Sequence, residues 1–452
     1  MPQKRIHLNA FSMNCVSHIQ HGLWTRPDTR QLEFNRLEPW IELAQLLEKG
    51  GFDALFLADV IGTYDNYRGS AETSIAEAMQ IPVNDPMMLI PAMAHATKHL
   101  GFAFTSSVLQ ALPFTFARQA STLDHLTQGR LAWNVVTSYL PNAGTNLGYD
   151  GLPPHDERYA RAEEYLDVTY KLWEGSWEDD AVLSDTARGI YADPAKIHPI
   201  NHSGKYYQVA GPHLCEPSPQ RTPLLFQAGS SDRGREFAAK HAECVFIYAS
   251  LRNLRDTTSI IEDIRARAVR QGRQGEDILF FQGVTPVVGG TEAEAKAKEA
   301  EYIEQGSVEG GIAHMSGTIG VDLGVIDLDV PLDSLEINAM QGIIKGLIDS
   351  APDKSLTFRD LVLKRSSGRF LTGTPEQIAD TFEAWHEAGV DGFNIVYAVT
   401  PGTFADFIDG VVPVLRRRGL VQSEYTPGTL REKIFGRKLL PESHAAAAYR
   451  RG

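Results

Sequence analysis

With 452 residues, 43% of them hydrophobic and 22% charged, the chain is not disordered or fibrous, and it is long enough to bury a large core without disulfide staples. A formal net charge of -14 and the lack of a basic tract longer than Arg416-Arg417-Arg418 exclude a nucleic-acid partner. Cys15, Cys215 and Cys244 form no CxxC pair, the start MPQKRIHLNAF lacks the apolar core of a signal peptide, and no apolar run reaches bilayer length. These features lead to the expectation of a cytoplasmic protein with no membrane segment.

Strand-length apolar segments alternate with helix-length amphipathic ones, the pattern of an α/β protein with a parallel sheet. The first predicted strand is Arg5 to Phe11, and a helix at Trp40 to Lys49 stops at Gly50-Gly51. Strand Asp53 to Leu57 leads to Asp59. Helix Pro86 to His99 precedes strand Gly101 to Thr105, and helix Phe114 to Leu126 precedes strand Leu131 to Val136. A long helix follows at Asp156 to Trp173. Strand Leu224 to Gln227, helix Gly234 to His241 and strand Cys244 to Tyr248 come next. A helix from about Asn253 to Gln271, strand Ile278 to Val287 and helix Glu292 to Glu304 follow. The last unit is helix Pro375 to Ala388, strand Gly392 to Val396 and helix Thr403 to Arg418. About eight strands, most followed by a helix, predict a TIM-type (β/α)8 barrel. The expected organisation is one barrel domain over 1–452, with insertions at about 180–222 and 306–372 and a tail at 420–452 that ends in a polar, Ala-rich run. Such insertions form lids, substrate walls, subunit contacts or plain surface loops.

Barrel chemistry sits at the C-terminal strand ends. Those ends carry Asp59, Thr105, Ser106, Ser107, Asn134, Thr137, Ser138, Gly229, Ser230, Ser231 and Tyr397. Neutral hydrogen-bonding groups dominate, which suits a heteroaromatic ring plus a phosphate better than hydrolysis. Gly229-Ser230-Ser231 ahead of Arg233 offers N–H groups, hydroxyls and a cation at a helix start, although a serine N-cap alone is common. No HExxH or HxH motif points to a metal, no GxSxG elbow to a hydrolase, and no early GxGxxG to a dinucleotide site. His125 and His155 read equally well as structural residues.

At these residues the chain becomes recognisable. LAQLLEKGGFDALFLADV at 43–60, STLDHLTQGRLAWNVVTS at 121–138, HDERYARAEEYLDVTYKLWEGSWEDD at 155–180, the stretch 211–246 and the stretch 390–419 resemble the nitrilotriacetate, pristinamycin and dibenzothiophene-sulfone monooxygenase family. This is a luciferase-like flavoprotein branch that includes the long-chain alkane and dimethylsulfide enzymes. The resemblance implies a two-component system in which a flavin reductase using NAD(P)H supplies FMN as FMNH2, and O2 reacts through a C4a-(hydro)peroxyflavin. It also implies that Asp59, Asn134 and Thr137, with Ser106 and Ser107 nearby, lie by the isoalloxazine. His155, Tyr159, Ser230 and Ser231 would reach the ribityl-phosphate, and the assembly would be a homodimer or homotetramer.

The same resemblance places Cys15, His18, Tyr64, Gln80 and His314 at the substrate cavity. His18 and His314 are candidate proton donors, because histidine titrates near neutral pH. Tyr64 and Gln80 would orient the reacting group, while Cys15 reads equally as a packing residue. Leu112 stands where the similar enzymes carry histidine, Tyr139 stands where the alkane enzyme has histidine but matches the sulfide enzyme, and Val108, Leu109 and Leu112 favour an uncharged, apolar substrate unless they merely pack. The expected reaction is oxygenation of a small or medium apolar molecule, an alkane or an organosulfur compound. N-heterocycle or amine oxygenation with dealkylation stays open. A deazaflavin-dependent reductase or a non-catalytic flavin-binding protein are the readings of another class. The 306–372 insertion is the candidate lid.

Overall fold

The computed structural model describes residues 5–247, 254–331, 356–367 and 370–451. Eight parallel strands form a closed (β/α)8 barrel. They are β1 (His7–Met13), β2 (Ala54–Ala58), β3 (Gly101–Ser107), β4 (Leu131–Val136), β5 (Leu224–Gln227), β6 (Cys244–Ile247), β7 (Leu279–Val288) and β8 (Gly392–Val396). Closure comes from β6 on β7, with Cys244 opposite Leu279, from β7 on β8, with Phe281 opposite Gly392, and from β8 on β1, with Gly392 opposite His7.

Strand side chains alternate between faces, so each strand serves two cores. Phe56 of β2 packs inside the barrel with Phe11 of β1 and Phe226 of β5, and Phe226 in turn meets Phe281 of β7. Successive ring centroids lie 5.3, 5.2 and 5.4 Å apart. Leu55 and Leu57 belong instead to the larger core between barrel and helices. Helix Glu38–Gly50 shows how that outer layer is encoded. Pro39 suits its first turn, Trp40, Leu43, Ala44 and Leu47 form one buried stripe, and Gly51 ends it at φ 81°. Capping boxes at Thr291/Glu294 and Thr374/Gln377 open helices Glu292–Glu304 and Pro375–Glu387.

Three predicted elements are altered. The first strand lies two residues later than read. The helix expected over Pro86 to His99 is a 3-10 turn at Pro86–Met88 followed by Ile90–His95. Glu48 ends it early, because its carboxylate accepts the backbone N–H groups of Lys98, His99 and Leu100 at 2.9, 2.6 and 2.9 Å. The last barrel helix, expected as one rod, contains a π turn at Phe407–Val411. Pro413 has no N–H to offer the carbonyl four residues back. Tyr248 and Asn253, at the expected ends of a strand and a helix, lie outside the described residues.

The 180–222 insertion forms two small hairpins, Val182–Asp185 with Ile190–Ala192 and His202–Ser203 with Gln208–Val209. They lie outside the barrel against helix His155–Gly175, where Glu164 accepts the N–H groups of Tyr206 and Tyr207. In the 306–372 insertion, helices Val308–Ile319 and Phe358–Ser367 share a small core with Tyr64, Tyr67 and Leu140. Residues 332–355 of that insertion are outside the description. The tail is more than a polar run. Helix Leu430–Phe435 puts Leu430 among the residues of the inner barrel core. Arg431, with no exposed side-chain surface, bonds Glu243 at 2.7 and 2.9 Å. A helix this short has too few turns to show a period in sequence.

Candidate active site

A cavity of about 460 Å³ opens at the C-terminal ends of β2, β3, β4 and β5. Two helices begin at one end of it. Ser231 caps helix Asp232–His241, its Oγ accepting the Gly234 N–H at 3.0 Å. His155, the first residue of helix His155–Gly175, places Nε2 3.2 Å from the same oxygen. Helix N-termini carry partial positive charge, so two of them facing one point favour an anion there.

Close approach at this end depends on glycine. A Cβ at Gly229 would stand 2.3 Å from Gln227 Nε2 and 2.7 Å from the Tyr159 hydroxyl. A Cβ at Gly234 would also meet that hydroxyl at 2.7 Å. The cation expected here was Arg233, but its guanidinium turns to Glu163 at 3.5 Å. Arg158, which the sequence reading passed over, lines the cavity instead. It donates to the Pro153 carbonyl at 2.6 Å, its Nε is buried without a partner, and among the described residues no carboxylate pairs with it. Burial pulls its pKa below the usual arginine range. Its signal was its position: a cation in the first turn of a helix faces the positive end of the dipole and requires an anion.

At the other end Gln110, also missed, organises the wall. Its Nε2 donates to Asp59 at 3.4 Å, and its Oε1 accepts from the Ser106 hydroxyl at 3.1 Å and the Ser107 N–H at 2.7 Å. Burial, with repulsion from Asp85, pushes the Asp59 carboxyl up to about 7 against bonds from Val60 and Gln110 that lower it. Ser107 and Thr137 line the cavity, as do Ser230, Ser231, His155 and Tyr159. Ser106 and Asn134 are buried behind the lining. Asn134 donates to Thr105 Oγ1 at 3.0 Å and keeps a buried Oδ1 without a partner.

The expected substrate residues fall into two groups. Tyr64 donates to Gln80 Oε1 at 3.2 Å and shares a short hydrogen bond with Tyr139, a cavity-wall residue. Gln80 donates onward to the His18 carbonyl at 2.8 Å. His314 stands edge-on to Tyr64 with ring centroids 5.0 Å apart, and its Nδ1 is 2.9 Å from His21 Nε2. His18 is buried beside Phe11 and Tyr397, with Nδ1 unpartnered. Burial, then repulsion from His314, lowers its pKa to about 3. His18 is therefore a neutral imidazole near pH 7, not the titrating donor expected from its type.

Cys15 forms the second group. It lines a separate cavity of about 230 Å³. Val108 and Leu109 are core residues, and Leu112 is 69% exposed. None of the three lines the large cavity, whose apolar wall comes from Val60, Ile61, Val135, Val136 and Leu140 instead. Among the described residues no group of three or more His, Cys, Asp or Glu is placed to hold a metal, and no helix is long and apolar enough to cross a membrane.

Residues 11–392 match the luciferase-like monooxygenase profile. The chain is 51% identical to a long-chain alkane monooxygenase of Geobacillus thermodenitrificans, covering 99% of this chain and 98% of that one. It is 48% identical to a dimethyl-sulfide monooxygenase of Hyphomicrobium sulfonivorans, with coverages of 99% and 94%. A crystal structure of a riboflavin lyase with modified FMN and riboflavin superposes with a TM-score of 0.89 at 34% identity, covering 99% and 100% of the two chains. Barrel, strand-end cavity and these matches together define a flavin-dependent monooxygenase. The chain belongs to the luciferase-like monooxygenase family.

Proposed function

We propose that the protein is the oxygenating component of a two-component system, taking reduced FMN from a separate NAD(P)H-dependent reductase to oxygenate an apolar alkane or organosulfur substrate. The observation that carries this reading is the polarity of the cavity, with anion-binding groups at one end and neutral hydrogen-bonding groups at the other. The residues fit FMN. Arg158, the two helix starts and the Gly229 cradle match a phosphate, while the unpartnered Asn134 Oδ1 leaves spare acceptor capacity behind the ring end. The names of the alkane and dimethyl-sulfide relatives support the substrate class.

When bound, reduced FMN supplies the activation of O2, and the chain supplies position, electrostatics and dryness. Arg158, Ser230, Ser231, His155 and Tyr159 hold the phosphate. Asp59, Ser107, Gln110 and Thr137 would line the ring end, with Ser106 and Asn134 fixing the wall behind. Tyr64 and Gln80 orient the substrate, with Tyr139 joining them to the cavity wall. His18 offers its uncharged ring and spare Nδ1 as a hydrogen-bonding partner, and His314 lies beside it. Helix Val308–Ile319, whose Thr318 reaches the cavity, helps keep water out of it.

The test supplies a flavin reductase, FMN, NADH and 18O2, and screens alkanes, sulfides and amines by mass spectrometry. One labelled oxygen in an alcohol, or in the products of C–S cleavage, is the expected result. Labelled product from amines alone would replace the substrate class. No labelled product from any class, together with reduced FMN reoxidising at its protein-free rate, would overturn the proposal.

A further inference from the structure

The second cavity lies back to back with the reaction residues. Met13 and Cys15, at and beyond the end of β1, form part of its wall, and Tyr397, just after β8, forms another part. The Tyr397 ring is 6.2 Å from that of His18. The outer wall is helix Glu38–Gly50 and the turn before it. The cavity therefore shares a wall with His18 without belonging to the flavin cavity.

Most of its polar groups are already engaged, the Thr400 hydroxyl and the Cys15 thiol aside. Trp40 Nε1 donates to the Phe34 carbonyl at 2.8 Å. Gln31 donates to the Val16 carbonyl at 2.7 Å and accepts from Thr29 at 2.8 Å. Arg30 is held by Glu33 at 2.9 and 3.1 Å and by a short bond to Glu42. The Tyr397 hydroxyl faces Ser12. The space is left with the apolar surfaces of Met13, Phe34, Trp40, Leu43, Leu46 and Tyr397. Water needs two to four polar partners, and the apolar inner part of the cavity offers few.

We propose that this cavity is a second binding site, for a small uncharged hydrocarbon, distinct from the flavin cavity. Size sets the class. An apolar cavity of about 150 Å³ takes benzene or xenon, so about 230 Å³ admits an alkyl chain or substituted ring of about seven to nine non-hydrogen atoms. The engaged polar groups set the chemistry, because a carboxylate would lose its water and find Arg30 already held by Glu33 and Glu42. The site needs no flavin and does not rest on the proposed reaction.

The experiment is therefore run on the flavin-free, full-length protein. Crystals are pressurised with xenon or soaked with toluene, and Leu46→Trp, which fills the half-open side of the cavity, is the comparison. An anomalous xenon peak between Trp40 and Tyr397 is expected, weakened about tenfold in the variant. Toluene is expected to raise the melting temperature of the wild type but not of the variant, and FMN affinity is expected to be equal in both. If Leu46→Trp does not fold, Leu43→Phe replaces it. Xenon confined to the flavin cavity, ordered water filling the second cavity, or an equal toluene response in a folded filled variant would each overturn the proposal.

Discussion

Asp59 offers the sharpest quantitative test of the electrostatics of the large cavity. Burial and Asp85 hold its carboxyl up to about 7, against an ordinary 3.8. In the unfolded chain it ionises near the ordinary value. Between the two values the folded state holds the extra proton, so stability falls as pH rises. The contribution is fully present below about pH 4 and lost as the pH passes about 7. Each pH unit across that window is worth about 1.4 kcal/mol, which gives a ceiling of about 4 kcal/mol. Water at the cavity mouth lowers this to about 2–4 kcal/mol. Unfolding entropy of about 2.1 cal/mol/K per residue, over 452 residues, makes each kcal/mol about 1 °C of melting temperature. Asp59→Asn keeps the shape and an acceptor for Gln110 but removes the titration. Melting of flavin-free wild type and variant is compared from pH 4.5 to 8. The two should agree within about 1 °C at pH 4.5 and diverge steadily, with the variant about 2–4 °C higher at pH 8. A constant offset across the range, or a variant that melts lower at pH 8, would refute the argument that burial holds this carboxyl protonated.

The remaining predictions concern the proposed phosphate end and the barrel floor. Arg158→Met should weaken FMN binding about 10- to 100-fold, the worth of a charge-assisted hydrogen bond, while riboflavin, which has no phosphate, binds as before; flavin fluorescence titration reads both. Gly229→Ala should cost about 1–3 kcal/mol of FMN affinity, because the new methyl group displaces Gln227 and Tyr159, and melting should change little. Arg431→Met leaves Glu243 buried and unpaired, so a loss of about 3–5 kcal/mol is expected, and Arg431→Met with Glu243→Leu should recover most of it in thermal unfolding.

The barrel was legible because its signals are periodic and local. Leu55, Phe56 and Leu57 sit in a continuous apolar run bounded by Asp53 and Asp59, and that run marks a strand buried on both faces. What failed were elements set by distant partners. Glu48 ends a helix some 50 residues away by taking its backbone donors, and nothing near Lys98 announces this. Helix Leu430–Phe435 exists because the barrel floor needs Leu430 and because Arg431 finds Glu243. Both contacts are invisible in six residues read alone. The cavity was legible by another route. Strand ends named Asp59, Ser107 and Thr137 without any partner being known, whereas Arg158 and Gln110 lie a turn or a loop away from a strand end and were passed over.

The exchange of Arg233 for Arg158 shows where charge is allowed in this site. Arg233 has Glu163 within reach and is spent there. Arg158, lacking such a partner, stays on the wall where the two helix starts favour an anion. The reaction end is kept the opposite way. His18 is neutral because burial lowers it, Tyr64 is a neutral phenol that burial holds still further from ionising, and Asp59 keeps its proton up to about 7 because burial raises it. Under the proposed reading, a substrate carrying a carboxylate would have to shed its water in that region with no cation among the described lining residues of that end to receive it. An uncharged molecule loses nothing there. Selection for apolar substrates then follows from the desolvation of the whole reaction end rather than from a dedicated contact, and replacing any single wall residue by one of similar size should leave that preference standing.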